Sequence, residues 1–192
     1  MIGWLGTMER RVTPPRAACL IVGASVVVLG AALLSQYLGG LKPCVLCIYQ
    51  RIPYAVTIGL AGLAFALGRH SRNGPRVVLT QCLLLACALA LVAGAGIAAY
   101  HVGVEQKWWL GTDACAASSG LAAMNVEELR ELLLRTPVAR CDEVSWSMFG
   151  VSMAGYNFIV SLFLAAASLW LAWVLSGRDD LVNGPQPGIG AG

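Results

Sequence analysis

The chain has 192 residues, of which 58% are hydrophobic and 12% charged, where an average soluble domain is about 25% charged. Its mean hydropathy is +0.72. That composition excludes an ordinary soluble domain and identifies an integral membrane protein of one domain. A net charge of +3 is too small to point to nucleic acid, and none is expected as a partner.

Residues 1–16 form a short tail with Arg10, Arg11 and Arg16. Residues 17–38 carry no charge. At 1.5 Å per residue the run reaches roughly 33 Å, enough for a hydrocarbon core of about 30 Å. It is too long for a signal-peptide core and no small-residue cleavage site follows, so it reads as a retained span. After the turn Gly39-Gly40-Leu41-Lys42, a second span is expected over 44–67, with Arg51 as its one charge. The loop 68–76 holds Arg69, Arg72 and Arg76, and a third, uncharged span covers 77–100. Residues 101–150 are the one long polar segment, with four basic and seven acidic residues. A fourth span is expected over 151–175, followed by a flexible tail, 176–192. The fold class is all-α: a bundle of four transmembrane helices.

Within the long loop, Asn125 and Glu128 resemble a capping box. Val126, Leu129, Leu132 and Leu133 then form one apolar face, and Pro137 ends the element. The pattern predicts a short amphipathic helix on the membrane surface. Arginines cluster in the N-terminal tail and in the 68–76 loop, while the 101–150 loop is net acidic. The positive-inside rule therefore puts both termini in the cytoplasm of a bacterium and the long loop in the periplasm. Trp108, Trp109 and Trp146 fall where an interfacial aromatic belt belongs.

Of the seven cysteines, Cys19, Cys82 and Cys87 fall inside apolar runs and read as small core residues. Cys44, Cys47, Cys115 and Cys141 fall at a helix end or in the loop, on the oxidising side. Pro43 suits the first turn of a helix, which places Cys44 and Cys47 where the helix dipole stabilises a thiolate. Arg51 is expected to share their face. Two outward pairs suggest dithiol–disulfide exchange. No second C-x-x-C completes a zinc site, Ile48 stands where a haem-attachment motif needs His, and no metal is expected. Both pairs as inert staples is the plain alternative, but a bridge between residues three apart on a helix is strained, and strained bonds are the labile ones. Nothing reads as a nucleotide, flavin or haem site, so a membrane quinone is the expected electron acceptor. Arg51 is placed to stabilise its oxyanion. His101, at the same depth, is a candidate hydrogen-bond or proton donor, and Glu105 shares its face.

The run Lys42-Pro43-Cys44-Val45-Leu46-Cys47-Ile48-Tyr49-Gln50-Arg51 closely resembles the signature of the bacterial disulfide bond formation protein B (DsbB) family. The likeness extends over about residues 17–175 and includes Cys141-Asp142-Glu143, Trp146 and Phe149-Gly150. It implies a four-helix protein of the inner membrane that reoxidises a DsbA-like periplasmic thioredoxin-fold oxidase and passes the electrons to ubiquinone or menaquinone. The resemblance makes Cys44 and Cys47 the quinone-facing pair, with Cys47 touching the ring. It makes Cys115 the sulfur that bonds the partner, and Cys141 its resolving cysteine. Arg51 and His101 match quinone-site positions. Glu105 stands where some members carry Gln. Gln50 stands where Glu is often seen, with little effect expected. An inter-pair disulfide such as Cys47–Cys115 is an expected intermediate. Two other readings are a vitamin K epoxide reductase-like protein and a disulfide-stapled scaffold without activity.

Overall fold

The computed structural model describes residues 13–69, 75–112, 115, 125 and 140–183. Its elements are α1 (Pro14–Tyr37), α2 (Val45–Tyr49), α3 (Arg51–Gly68), α4 (Pro75–Glu105), β1 (Ser147–Met148), β2 (Val151–Ser152) and α5 (Met153–Asn183). Four helices are long and apolar enough to cross a membrane, with α2 and α3 together forming the second, Val45–Gly68. This is the expected multi-pass helical architecture. The predicted amphipathic helix lies outside the described residues but for Asn125.

Each helix starts and stops for local reasons. Pro14 and Pro15 occupy the first turn of α1 behind Thr13, where a missing N–H costs nothing. The second span is broken at Gln50 because Pro53 follows. Proline offers no N–H to the Tyr49 carbonyl and its ring crowds that group. At the end of α4 the Trp108 N–H bonds the Gly103 carbonyl at 2.9 Å and the Lys107 N–H bonds that of Val104 at 3.0 Å. With Lys107 at φ 59° this is a Schellman cap. β1 and β2 pair antiparallel, Met148 opposite Val151, around a Phe149-Gly150 turn with φ of 51° and 79°. Two positive φ values give a type I′ turn.

The spans differ from expectation at their ends. Cys44 is the extended N-cap of α2, with φ −74° and ψ 171°, and Pro43 precedes it. Neither is in the first turn. A hairpin occupies the expected start of the fourth span. α5 continues to Asn183, into the expected tail, because Gly177 alone does not stop a helix and the first proline is Pro185.

Contacts are most extensive between α4 and α5, α1 and α3, and α3 and α4, so α3 and α4 form the middle of the bundle. In lipid, close backbone approach replaces the hydrophobic drive between helices. Ala17, Ala61, Ala64, Ala88, Ala95 and Ala98 accordingly face inward, while Leu20, Val27, Leu89 and Phe163 face out. Gly94 lets α4 meet Pro53 of α3: a Cβ there would lie 3.0 Å from the ring. The interior has three layers. One joins Ala17, Ala61, Leu84 and Leu171. The middle one joins Tyr54, Leu91 and Leu164. The third, where α4 ends, joins Cys44, Leu46, Val104, Cys115 and Cys141. Cys87 is buried as expected, but Cys19 and Cys82 are exposed. Helices apolar on every side give no pattern from which to read which face turns outward.

Candidate active site

Cys44 takes the role an N-cap hydroxyl usually takes: the Cys47 N–H donates to its sulfur at 3.3 Å. The Cys44 thiol donates to Cys47 Sγ at 3.0 Å. That bond first, and burial second, push the Cys44 thiol up to about 12.

The second pair reaches the same place through the cap of α4. The chain turns at Lys107, so that Trp109 stacks on Tyr100 with ring centroids 5.8 Å apart. Its indole N–H donates to the Tyr100 carbonyl at 3.0 Å. Gly103 leaves room for that ring, which a Cβ would overlap. The latch lays residues 109–112 back along α4 and brings Cys115 into the third layer. The Thr112 hydroxyl donates to Cys115 Sγ at 3.3 Å. Cys141 packs with Cys115, Leu46 and Cys44 in the same layer. Burial first, then Cys115, push the Cys141 thiol up to about 12.

These shifts predict how the reduced protein responds to alkali. Unfolded, Cys44 and Cys141 release their protons near the ordinary value of 9.0; folded, they hold them to about 12. Their contribution to stability is complete below pH 9.0 and is lost as pH rises toward 12. Thermal melts of the protein in dithiothreitol are expected to show a melting temperature that falls across this window. The oxidised protein, which has no thiol at these positions, will not fall by this route. Parallel curves for the two forms would contradict the assignment.

Behind Cys44 lies a buried polar chain. His101 Nε2 is 3.6 Å from Cys44 Sγ and 3.8 Å from Glu105 Oε1. Glu105 Oε2 accepts from the Ser152 hydroxyl at 2.5 Å. The Gln50 amide N–H donates to His101 Nδ1 at 2.7 Å. Asn157 Nδ2 donates to Gln50 Oε1 at 2.5 Å. The Tyr54 hydroxyl donates to Asn157 Oδ1 at 2.7 Å and lies 2.7 Å from Ser161 Oγ. Cys44 Sγ, Cys47 Sγ and His101 Nε2 lie within 4.8 Å of one another, a spacing a soft cation could use.

On the other side of α2, an apolar cleft of about 400 Å³ opens between α1, the second span and α5. Cys47, Gln50, Arg51, Tyr54, Trp146 and Met148 are among its lining residues. Arg51 does not turn its charge on both thiols, as helical spacing predicts, because Cys44 is outside the helix. Its Nη1–H donates to Gln36 Oε1 at 2.5 Å and its Nη2–H to the Ala32 carbonyl at 3.4 Å. Its Nε is buried without a hydrogen-bond partner. His101 and Glu105 do not line the cleft; they stand behind Cys44.

The structure thus brings Cys44, Cys47, Cys115, Cys141, His101 and Glu105 together, with Arg51 across the cleft face of Cys47. The sequence reading missed Tyr54, Asn157 and Ser161, and it set Gln50 aside. Polar side chains inside apolar spans were the available signal.

A four-helix membrane bundle with two neighbouring pairs of free cysteines at one end defines a multi-pass membrane dithiol protein. Residues 14–171 match the family described as "Disulfide bond formation protein DsbB". The chain is 30% identical to "Disulfide bond formation protein B" of Stutzerimonas stutzeri over 168 residues, covering 83% of this chain and 96% of that one. Its counterpart in Saccharophagus degradans is 32% identical, covering 81% and 90%. That of Verminephrobacter eiseniae is 32% identical, covering 91% and 94%. No solved structure matches at a significant level. The chain belongs to the DsbB family of membrane disulfide-forming oxidoreductases.

Proposed function

We propose that the protein reoxidises a DsbA-like periplasmic thioredoxin-fold oxidase and passes the electrons through its two cysteine pairs to a membrane quinone. The observation that carries this reading is the double placement of the C-x-x-C pair. Cys44 faces the outer pair, while Cys47, 3.0 Å away, lines an apolar cleft that also holds Arg51. The residues suit a quinone: an apolar cleft lined by Cys47 and the Arg51 side chain can take a flat ring beside a sulfur and a guanidinium that donates to its oxygen. When bound, the quinone accepts two electrons and two protons. The arginine clusters of the N-terminal tail and the 68–76 loop support an inner-membrane protein with cytoplasmic termini and periplasmic cysteines.

The partner's thiolate attacks Cys115 Sγ of a Cys115–Cys141 disulfide, and Cys141 leaves as thiolate. Cys141 attacks Cys44 Sγ of a Cys44–Cys47 disulfide, and Cys47 leaves toward the cleft. The partner's second thiol resolves the mixed disulfide and releases Cys115. Cys115 attacks Cys141, restoring the outer disulfide and freeing Cys44. The reduced Cys44–Cys47 pair then gives up two electrons and two protons and closes again as a disulfide.

The inter-pair bond is the sharp test, and this reading assigns it to Cys44 and Cys141, which share the third layer. A Cys47→Ala/Cys115→Ala protein should form a Cys44–Cys141 disulfide in air, mapped by non-reducing peptide mass analysis. A Cys44→Ala/Cys141→Ala protein should form far less Cys47–Cys115 bridge. The wild type should reduce quinone mole for mole with a reduced thioredoxin-fold donor. No inter-pair bond in either variant, or no quinone reduction, sinks the relay.

A further inference from the structure

We propose that Gln50 is a positioning residue that fixes His101 as its Nε2–H tautomer and aims that N–H at Cys44 Sγ. The imidazole then serves Cys44 as a hydrogen-bond donor and not as its base.

The polarity is set from a distance. The Tyr54 hydroxyl donates to Asn157 Oδ1, so Asn157 presents its NH₂ to Gln50. Gln50 accepts with Oε1, so it presents its own NH₂ to His101 Nδ1, 2.7 Å away. A nitrogen that receives an N–H must offer a lone pair, so the single proton of a neutral ring sits on Nε2. The surroundings of the ring agree. Nε2 faces Cys44 Sγ and the Glu105 carboxylate, both of them acceptors. The titratable groups facing the ring are Cys44 and Cys47 at the start of the second span, Glu105 on its own helix and Cys141 from the segment before β1. Gln50 is 5% exposed, His101 3%, Tyr54 2% and Ser161 0%, and Asn157 between them is half-buried at the cleft wall. Each amide is locked at both ends, which is how a remote partner fixes a histidine tautomer.

The catalytic consequence rests on the relay proposed above, in which Cys44 is a thiolate when it leaves Cys141 and again when the reduced pair gives up its two electrons and closes. A donor aimed at its sulfur stabilises that charge both times. A carboxylate at position 50 would instead accept from Nδ1–H and strip the proton from Nε2. Glutamine and glutamate are therefore not interchangeable here, contrary to the small effect expected from sequence.

Nitrogen-15 NMR of the reduced, histidine-labelled protein in nanodiscs at pH 8 reads the tautomer directly. The chain has two histidines, and a His70→Gln background leaves only His101. The expected spectrum shows an unprotonated Nδ1 and a protonated Nε2. Gln50→Glu should exchange the two, and Gln50→Met should mix them. In a Cys47→Ala background, Gln50→Met should slow iodoacetamide alkylation of Cys44 about tenfold at fixed pH, the loss of one charge-assisted bond. A wild-type ring protonated at Nδ1, or on both nitrogens, overturns the proposal even if every Gln50 variant fails to fold. So does a tautomer that Gln50→Glu leaves unchanged. Neither NMR result depends on a donor or a quinone, so failure of the relay and failure of the tautomer are separable.

Discussion

Replacing Cys115 with serine will stop quinone reduction by a reduced thioredoxin-fold protein while sparing reduction by dithiothreitol. Cys115 is held in the third layer by the Thr112 hydroxyl at 3.3 Å and packs there with Cys141. In the proposed relay it is the sulfur that the protein donor engages, at 7% exposed against 3% for Cys44. A serine alkoxide forms no disulfide, so the protein donor must attack the inner pair from outside, losing the advantage of neighbouring sulfurs. Intramolecular placement of that kind is worth many powers of ten, and a fall of about 10³-fold or more is expected. Dithiothreitol is small enough to reduce the Cys44–Cys47 disulfide directly, so its rate should change by only a few-fold. Cys44→Ser should abolish both reactions. Full activity of Cys115→Ser with the protein donor would make the outer pair a staple and move the vitamin K epoxide reductase-like reading ahead.

The two arms separate because the four sulfurs are not equivalent. Cys44 is turned inward by its N-cap conformation, toward Cys141 and His101. Cys47, in the first helical turn, is turned toward the cleft. One residue of backbone geometry therefore divides the C-x-x-C pair into a protein-facing sulfur and a lipid-facing one. The proton sits on the protein-facing member, since Cys44 is pushed up to about 12 by its bond to Cys47 and by burial. At pH 8 only about one Cys44 in 10⁴ is then ionised in the resting dithiol. Chemistry at Cys44 needs a donor that appears with the thiolate, and His101 is the group 3.6 Å away.

Much of this was legible in the sequence, but unevenly. Apolar runs of 22 to 25 residues, charge-free but for Arg51, mark the four spans, because a helix satisfies its own backbone in lipid. The C-x-x-C run with Arg51 marked the site. What periodicity misread lay where the helix is not a helix. Cys44 stands outside it, and Pro53 breaks it at Gln50, so Arg51 could not be projected onto the two thiols by counting residues. The packing faces were equally hidden: Cys19 and Cys82 face outward, and Cys87 inward, in helices that are apolar all round. Phe149-Gly150 is not a usual type I′ turn sequence, so the hairpin that carries Met148 to the cleft and Ser152 to Glu105 left little trace. The polar chain from Ser161 to Gln50 joins α5 to the second span across more than a hundred positions, and only the folded bundle brings those side chains together.

Arg51→Met carries the second large effect, and it falls on the quinone. The side chain lines the cleft with Cys47 and is fastened to α1 through Gln36 at 2.5 Å and the Ala32 carbonyl at 3.4 Å. Those bonds hold the guanidinium at the cleft wall, with further Nη–H groups to donate to a ring oxygen. A hydrogen bond from a charged group is worth about 1.5–3 kcal/mol, so kcat/KM for quinone should fall about 10- to 100-fold. The loss should appear mainly in KM if the bond is as strong to the bound ring as to the developing oxyanion, and in kcat if it strengthens as charge develops. Arg51→Lys keeps the charge but not the planar fork that reaches Gln36 and the cleft together, and should recover only part of the rate. Methionine fills the same volume, so a properly folded variant is expected, and formation of the Cys44–Cys141 bond in the trapping background should be unaffected. An Arg51→Met protein with unchanged quinone kinetics would place the ring elsewhere and reduce Arg51 to a strut between the first two spans.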